Sequence, residues 1–518
     1  MSALPEVDPS TLPAEVSIHP GRPLLRIGAV ALGVVPLVLA ATVSGDSMIH
    51  AGMVLVYVVL LFFTARLMRE RTPWPYPSPI TTLTFYWFLI YGPFTFQKFI
   101  DPDTVHRVLA GSFREFHQAM AITVLSNALM VAGYLVIFPG RLGDRQPRVV
   151  AGALSLPAVV AIWGLAILAR GIQFVNGQFG YVATNLGSRG YSYQMILTYG
   201  GQLAFVVLAA LFLEVVVEKK NAAPAAKILL GIVVVAELIY AVAIGFKGAI
   251  LHAFVPVLLV MLGLRVKFPL KSLVVAMAFV VFIAPGNYAF RDAVNEGRVA
   301  RGDVFNVLEA SIGLTFGEWG RGPLDALGKT WTAMTREIAD NLENVALILR
   351  KTPSQVPYWG SEEYMNIIPR TLFPRFLWKG KPSSENAGII TRVYREGSSN
   401  SGSPTGFTGD LFMRTGMNGV ALGSLGLGFI LGIHMRIFSR FRSKRALVVY
   451  CTAIGTTIYT SELASLSTLI VQRSLIFGFL SLALYHSVDW ASAESPRSAN
   501  RTRRSRGVEL REAAQTMA

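Results

Sequence analysis

The chain has 518 residues, of which 53% are apolar and 15% charged, and a mean hydropathy of +0.49; this excludes an ordinary soluble protein and indicates an integral membrane one. A net charge of +16 invites a nucleic-acid partner, but most basic residues flank apolar runs, so membrane orientation explains the charge better. The single cysteine, Cys451, lies inside an apolar run, which leaves no internal disulfide and no cysteine-held zinc.

Residues 1–22 are polar and read as a cytoplasmic tail. Apolar runs long enough for a hydrocarbon core of about 30 Å then recur at 27–43, 49–65, 80–96, 119–138, 153–169, 195–217, 228–246, 248–264 and 270–285, making residues 23–285 the first nine predicted spans. The first run, preceded by Arg22 and Arg26 and ending near Ala40 and Ala41, reads as an uncleaved anchor in preference to a signal peptide. Three further runs at 417–434, 446–461 and 474–488 place spans ten to twelve within residues 417–490, and residues 491–518 form a second polar tail rich in arginine.

Lysine and arginine separate cleanly between alternate connections. Arg66, Arg69 and Arg71, then Arg141, Arg145 and Arg148, then Lys219, Lys220 and Lys227, then Arg265, Lys267 and Lys271, and finally Arg436 to Arg445 share one side with both tails. The opposite short connections carry only Lys98, Arg107, Arg114, Arg170, Arg189, Lys247 and Arg473. Cationic loops stay in the cytoplasm, so the pattern predicts an all-α bundle of about twelve spans with both termini cytoplasmic.

Residues 286–416 form the exception, a large outward segment too long for a plain connector. Within it Asp303 can cap a helix running to about Trp319. Leu324, Leu327, Trp331, Met334, Ile338, Leu342, Val345 and Leu349 mark one face of a long amphipathic helix, which can rest on the bundle or lie in the membrane interface. Pro353 and Pro357 end that helix, and Ser361, Glu362 and Glu363 look like a helix start.

Cations on the outer side oppose the topological trend. Arg170, Arg189, Lys247, Arg291, Arg370 and Arg375 come from different parts of the chain yet fall near one membrane face, where a bundle can gather them around an anion; the plainer alternative is that each snorkels to lipid headgroups. Among acids, Asp410 lies after a Gly-rich stretch and just above the tenth span, a place for a general base or for an N-cap; Glu362 and Glu363 also suit a helix first turn. Asp101-Pro-Asp103 reads as a turn more readily than as a metal-holding pair, and Glu237, deep in a span, is expected to take a partner on another helix. His50, His106 and His117 are scattered and none lies in the large loop, which disfavours a histidine base. No phosphate-binding glycine loop and no metal-ligand spacing occurs, so neither nucleotide, metal nor other cofactor is expected.

The stretch Asn366-Ile-Ile-Pro-Arg-Thr-Leu-Phe-Pro-Arg-Phe-Leu-Trp-Lys-Gly-Lys-Pro382 resembles the large outer loop of bacterial O-antigen polymerases of the Wzy type, the oligosaccharide repeat unit polymerases. Thr408-Gly-Asp-Leu-Phe-Met-Arg-Thr-Gly-Met-Asn-Gly419 is similar to that family's pattern after the loop, and Gly245-Phe-Lys-Gly-Ala249 to its short basic hairpin; the usual Trp-Pro is here Trp378-Lys379. The resemblance in layout covers residues 25–490. It implies a fold like the membrane-embedded glycosyltransferases of the C type, and a metal-independent enzyme of the bacterial cytoplasmic membrane that joins polyprenyl-pyrophosphate-linked oligosaccharides. It further implies Arg370 with Arg170, Arg189, Lys247, Arg291, Arg375 and Lys381 on the pyrophosphate, Asp410 or Glu362 as base, and as partners membrane lipids, a flippase and a chain-length regulator. An O-antigen-type ligase, or a transporter or flippase of the same lipid-linked sugar, stands as the alternative.

Overall fold

The computed structural model describes residues 45–72, 76–96, 98, 113–138, 154–176, 191–218, 222–243, 247–264, 270–298, 304–366, 390–395, 405–441, 443–458 and 463–485. Among these the protein is helical, without a named strand. In chain order the helices are α1 (Gly45–Arg71), α2 (Pro79–Tyr91), α3 (Arg114–Ile137), α4 (Leu156–Val175), α5 (Tyr191–Glu218), α6 (Pro224–Ala243), α7 (Lys247–Leu264), α8 (Leu270–Asn295), α9 (Val304–Arg321), α10 (Pro323–Lys351), α11 (Phe407–Phe438), α12 (Lys444–Thr457) and α13 (Leu463–Leu480). Ser78, Ser155 and Ser443 start α2, α4 and α12 by accepting a hydrogen bond from the backbone N–H three residues on, and in α2 and α4 a proline follows where its missing N–H costs nothing.

Among the described residues six helices are long and apolar enough to cross a membrane: Asp46–Arg69, Arg114–Ile137, Leu156–Val175, Ile196–Val216, Pro224–Ala241 and Phe407–Phe438. The first sequence run, 27–43, lies outside the described residues, and each of the others falls on a helix. Two boundaries differ from the sequence reading. The last helix starts at Leu463, well before position 474, so Arg473 sits inside it and not in an outward connection. The tenth run starts at Phe407 instead of Met417: a first segment of α11 ends at a kink where Thr415 and Gly416 leave helical geometry, and Gly416, at φ +67°, supplies the left-handed conformation that lets the helix resume at Met417.

Side-chain contacts fix the relative directions. The Ser126 and Ser424 hydroxyls meet at 2.7 Å, and Gly428 and Gly432 lie against Met130 to Ile137, so α3 and α11 run parallel with backbones in close approach. Tyr76 donates to Phe441 O, Tyr450 to Pro77 O, Lys444 to Glu214, and Arg445 to Ser481. These bonds gather the starts of α2 and α12 and the ends of α5, α11 and α13 at one end of the bundle, together with the basic residues Arg69, Arg71 and Arg436. The starts of α1, α3 and α5 and the ends of α2 and α4 meet at the other: the His117 ring bonds Asp46 O, His50 bonds Thr95, and Gln173 bonds Thr198. Alternate helices therefore point in opposite directions.

The long segment between α8 and α11 folds onto this second end. Helix α8 continues through Pro285 to Asn295, and α9 turns back antiparallel along it, with Thr315 against Gly286 and the Trp319 indole donating to Phe282 O at 2.8 Å. A side chain at position 286 would overlap Thr315, so Gly286→Ala is expected to loosen this hairpin; a fall in melting temperature of the detergent-purified protein checks it. Helix α10 occupies the amphipathic stretch read from the sequence and ends at Lys351, before Pro353 and Pro357; Leu342, Val345 and Ile348 are buried against the bundle.

Candidate functional site

The end of the bundle beneath α10 carries an unusual density of buried charge. Lys98, itself buried, donates to Asp340 and Glu343 on α10. Glu343 also accepts from Arg395 at 3.1 Å, and the same guanidinium donates to Asn344 at 2.8 Å. Arg395 follows a single π-helical turn, Ile390–Tyr394, which is pinned to the end of α10: Lys351 donates to Tyr394 O, and the Tyr394 hydroxyl shares a 2.7 Å hydrogen bond with Thr352. Burial pushes the Tyr394 hydroxyl above its ordinary range, so it stays protonated and available as a donor.

A second pair lies in the first segment of α11. Asp410 is fully buried; its Oδ1 accepts from Arg414 Nε at 3.0 Å, one helical turn on, and its Oδ2 from the backbone N–H of Leu463 at 3.4 Å, which ties α11 to the start of α13. The Arg414 guanidinium lies over the Tyr364 ring at 5.4 Å, and the Tyr364 hydroxyl donates to Asp410 O. The kink at Thr415 and Gly416 leaves the carbonyls of Met413 and Arg414 without their usual helical partners, and the N–H groups of Trp359 and Gly360 take them at 3.2 and 3.0 Å. Residues 356–364 are thereby fastened across α11, with Tyr358, Trp359 and Glu362 exposed beside the buried pair.

Arg170 is also buried, and both terminal nitrogens of its fork are taken by Glu237 of α6, at 2.6 and 2.9 Å, with the Tyr240 ring 3.7 Å beneath the guanidinium. Glu237 therefore has the cross-helix partner its depth called for; it takes both terminal nitrogens of Arg170, while the buried Arg170 Nε has no hydrogen-bond partner among the described residues. Removing one member alone strands the other, at a cost of roughly 3–5 kcal/mol, whereas an apolar pair of similar volume is tolerated. Glu237→Leu is accordingly expected to abolish folded protein, and Arg170→Met with Glu237→Leu to restore it, as read by size-exclusion chromatography in detergent.

Arg473 stands ten residues into α13, about 15 Å from its start. It is buried and donates to Thr456 O and to the Thr457 hydroxyl, capping the C-terminus of α12 where that short helix stops.

The other residues singled out from the sequence are placed as follows. Glu362 opens a single helical turn, Glu362–Met365, behind Ser361. Lys247 opens α7 and Arg291 lies near the end of α8, with their side chains outside the described set. Arg189, Arg370, Arg375 and Lys381, like Asp303, His106 and the Asp101-Pro-Asp103 turn, lie outside the described residues. His50 and His117, far apart in sequence, have ring centroids 6.1 Å apart at this end of the bundle. Among the described residues no group of three or more His, Cys, Asp or Glu side chains converges as a metal site would.

Asp410 is therefore not a loop carboxylate above a span but a buried one inside a helix, and Glu362 is the more accessible of the two candidate bases. The reason is that α11 starts at Phe407, about two turns of helix ahead of the Gly416 kink and the apolar run. Arg414 went unnoticed in the sequence because i,i+4 pairing with Asp410 has meaning only once both sit on a helix. Lys98, Glu343 and Arg395 carried no local signal, being brought together from positions more than 50 or 240 residues apart.

Residues 178–485 match the family described as a domain of unknown function, DUF8712. The chain belongs to that family. The DUF8712 region takes in Glu237, Glu343, Arg395, Asp410, Arg414 and Arg473, and leaves Lys98 and Arg170 to the preceding part of the chain. No curated protein and no solved structure gives a significant match.

Proposed function

We propose that this protein is a polysaccharide polymerase that joins polyprenyl-pyrophosphate-linked oligosaccharide repeat units at the outer face of the bacterial cytoplasmic membrane. On this reading the bundle has twelve spans arranged as in C-type glycosyltransferases, both termini are cytoplasmic, and the end beneath α10 faces outward. The observation that supports it best is the pinning of residues 356–364 across α11, which sets exposed Tyr358, Trp359 and Glu362 beside the buried Asp410–Arg414 pair, directly ahead of the Pro-Arg and Trp-Lys stretch that carries the family resemblance.

In the reaction the acceptor hydroxyl oxygen bonds to the anomeric carbon of the growing chain, the bond from that carbon to the pyrophosphate oxygen breaks, and polyprenyl pyrophosphate leaves with the electron pair. The hydroxyl proton passes to a carboxylate, Glu362 by virtue of its exposure, with Asp410 and Arg414 holding the segment that presents it. Stabilisation of charge developing on the leaving group is assigned to Arg370 with Arg189, Lys247, Arg291, Arg375 and Lys381, guanidinium and ammonium donors suited to a pyrophosphate.

Reconstitution with a purified lipid-linked oligosaccharide tests this directly: a ladder of longer lipid-linked chains is expected. Glu362→Gln and Arg370→Ala are expected to lower elongation by about 10²-fold or more, the range for losing an acid–base or charge-stabilising group. For Glu362→Gln, a surface change, the thermal midpoint should stay at the wild-type value. A ladder of normal length from both variants removes these residues from the chemistry.

A transport reading is favoured by one observation: Arg473 and the Arg170–Glu237 pair are buried between helices, and ionisable groups at such depth often mark a pathway. The same vesicles decide it, since passage of the lipid-linked sugar across the bilayer without elongation is the signature of a flippase.

A further inference from the structure

The amphipathic helix α10 divides its apolar face between two surroundings. Its C-terminal half, with Leu342, Val345 and Ile348 fully covered, rests on the bundle. Its N-terminal half does not: Leu324 is 83% exposed and Trp331 56%. The facing helix α9 does the same, with Ile312 and Phe316 exposed and Phe316 packed edge-on to the Phe282 ring, itself partly exposed. Together these side chains form one uncovered apolar surface at the end of the α9–α10 hairpin.

The position of that surface identifies what covers it. Thr315 is level with Gly286 and Trp319 with Phe282, so α9 descends alongside α8 towards its apolar run, and the turn at Gly322 lies about 10 Å below the level of Gly286. Helix α9 also touches α6, a membrane-crossing helix whose Ile232, Val235 and Ile239 are exposed in the manner of a lipid-facing surface. The uncovered face of the hairpin is thus continuous, through Val281 and Phe282, with apolar surface at membrane depth. The hairpin's charges suit the same setting: Glu318 pairs with Arg321 at 2.5 Å, which offsets the cation next to the turn, and with Lys329 at 3.3 Å, whose long stem higher on α10 can reach phosphate headgroups.

We propose that the α9–α10 hairpin docks into the outer leaflet of the same bilayer that the bundle crosses, with Ile312, Phe316, Leu324, Leu327 and Trp331 among the acyl chains, Lys329 reaching the headgroups, and Arg321, nearer the turn, neutralised by Glu318. Residues 304–331 are then a membrane-dipping element and not part of an aqueous loop. The inference does not depend on the polymerase reading, and neither result below bears on elongation.

Spin labels provide the test. Phe316→Cys, Leu327→Cys and Lys329→Cys, each made singly in the full-length protein, alter exposed side chains, and the only native cysteine, Cys451, is buried, so unmutated protein serves as the unlabelled blank. In vesicles of phosphatidylethanolamine and phosphatidylglycerol, labels at 316 and 327 are expected to collide severalfold more often with oxygen, which concentrates in lipid, than with a water-soluble nickel chelate. The label at 329 should show the reverse preference. Chelate-dominated collisions at 316 and 327 would place the hairpin in water, and immobilised labels reached by neither reagent would show a protein surface, such as a second copy, covering it; either result overturns the proposal.

Discussion

Arg414→Ala is expected to cost roughly 3–5 kcal/mol of stability, enough to remove most folded protein from detergent extracts, because it takes away the guanidinium that faces a carboxylate with no access to solvent. The cost comes from Asp410, which is left charged in a site built for a pair. Replacing both partners, as Asp410→Asn with Arg414→Gln, keeps an amide-to-amide hydrogen bond across the same turn of α11 and removes both charges. That double variant should recover folded protein by thermal-shift assay and, if the pair acts as scaffold for residues 356–364, should elongate lipid-linked chains at close to the wild-type rate. A folded double variant that fails to elongate would return Asp410 to the role of base. Together with Glu362→Gln, which is expected to lose activity and keep stability, the comparison separates the carboxylate that organises the site from the one that carries the proton.

The second large effect is expected at the α3–α11 contact. A Cβ at Gly428 would lie 2.1 Å from Met130 O and 2.7 Å from Tyr134 N, both backbone atoms of a helix held along its length, so no rotamer change relieves the clash. Gly428→Ala should therefore exceed the roughly 1–3 kcal/mol typical of an overpacked core and shift the melting temperature sharply down. Gly426→Ala is the matched control: it meets nothing within 4 Å and replaces a poor helix former with a good one, so it should leave stability unchanged or raise it by roughly 0.5–1 kcal/mol. Equal behaviour of the two variants would mean that α3 and α11 are not packed backbone to backbone.

Hydropathy located helices well because a span announces itself locally: each needs only its own run of apolar residues, and the runs from 49 onward all fall on helices. Ends were less legible where a chemical signal misled. Arg473 looked like part of an outward connection because a charge in lipid is costly, yet it is satisfied by the carbonyl end of α12, a partner visible only in three dimensions. In the same way residues 407–416 fell within the large outward segment, ahead of the tenth apolar run, while in the structure they are helix ending at a left-handed glycine.

For the candidate site, the sequence by itself marked out kinds of residue: cations against the charge trend, a carboxylate ahead of the tenth run, and an amphipathic helix in the long segment before it. Only the tertiary structure decided their partners. Arg170 faces Glu237, Asp410 is covered while Glu362 is exposed, and Lys98, Glu343 and Arg395 form one network. The physical reason is that a helix and its membrane preference follow from a short window of residues, whereas a buried ion pair is selected by which elements touch, and Arg170–Glu237, Arg395–Glu343 and Lys98–Glu343 each join residues more than 50 positions apart.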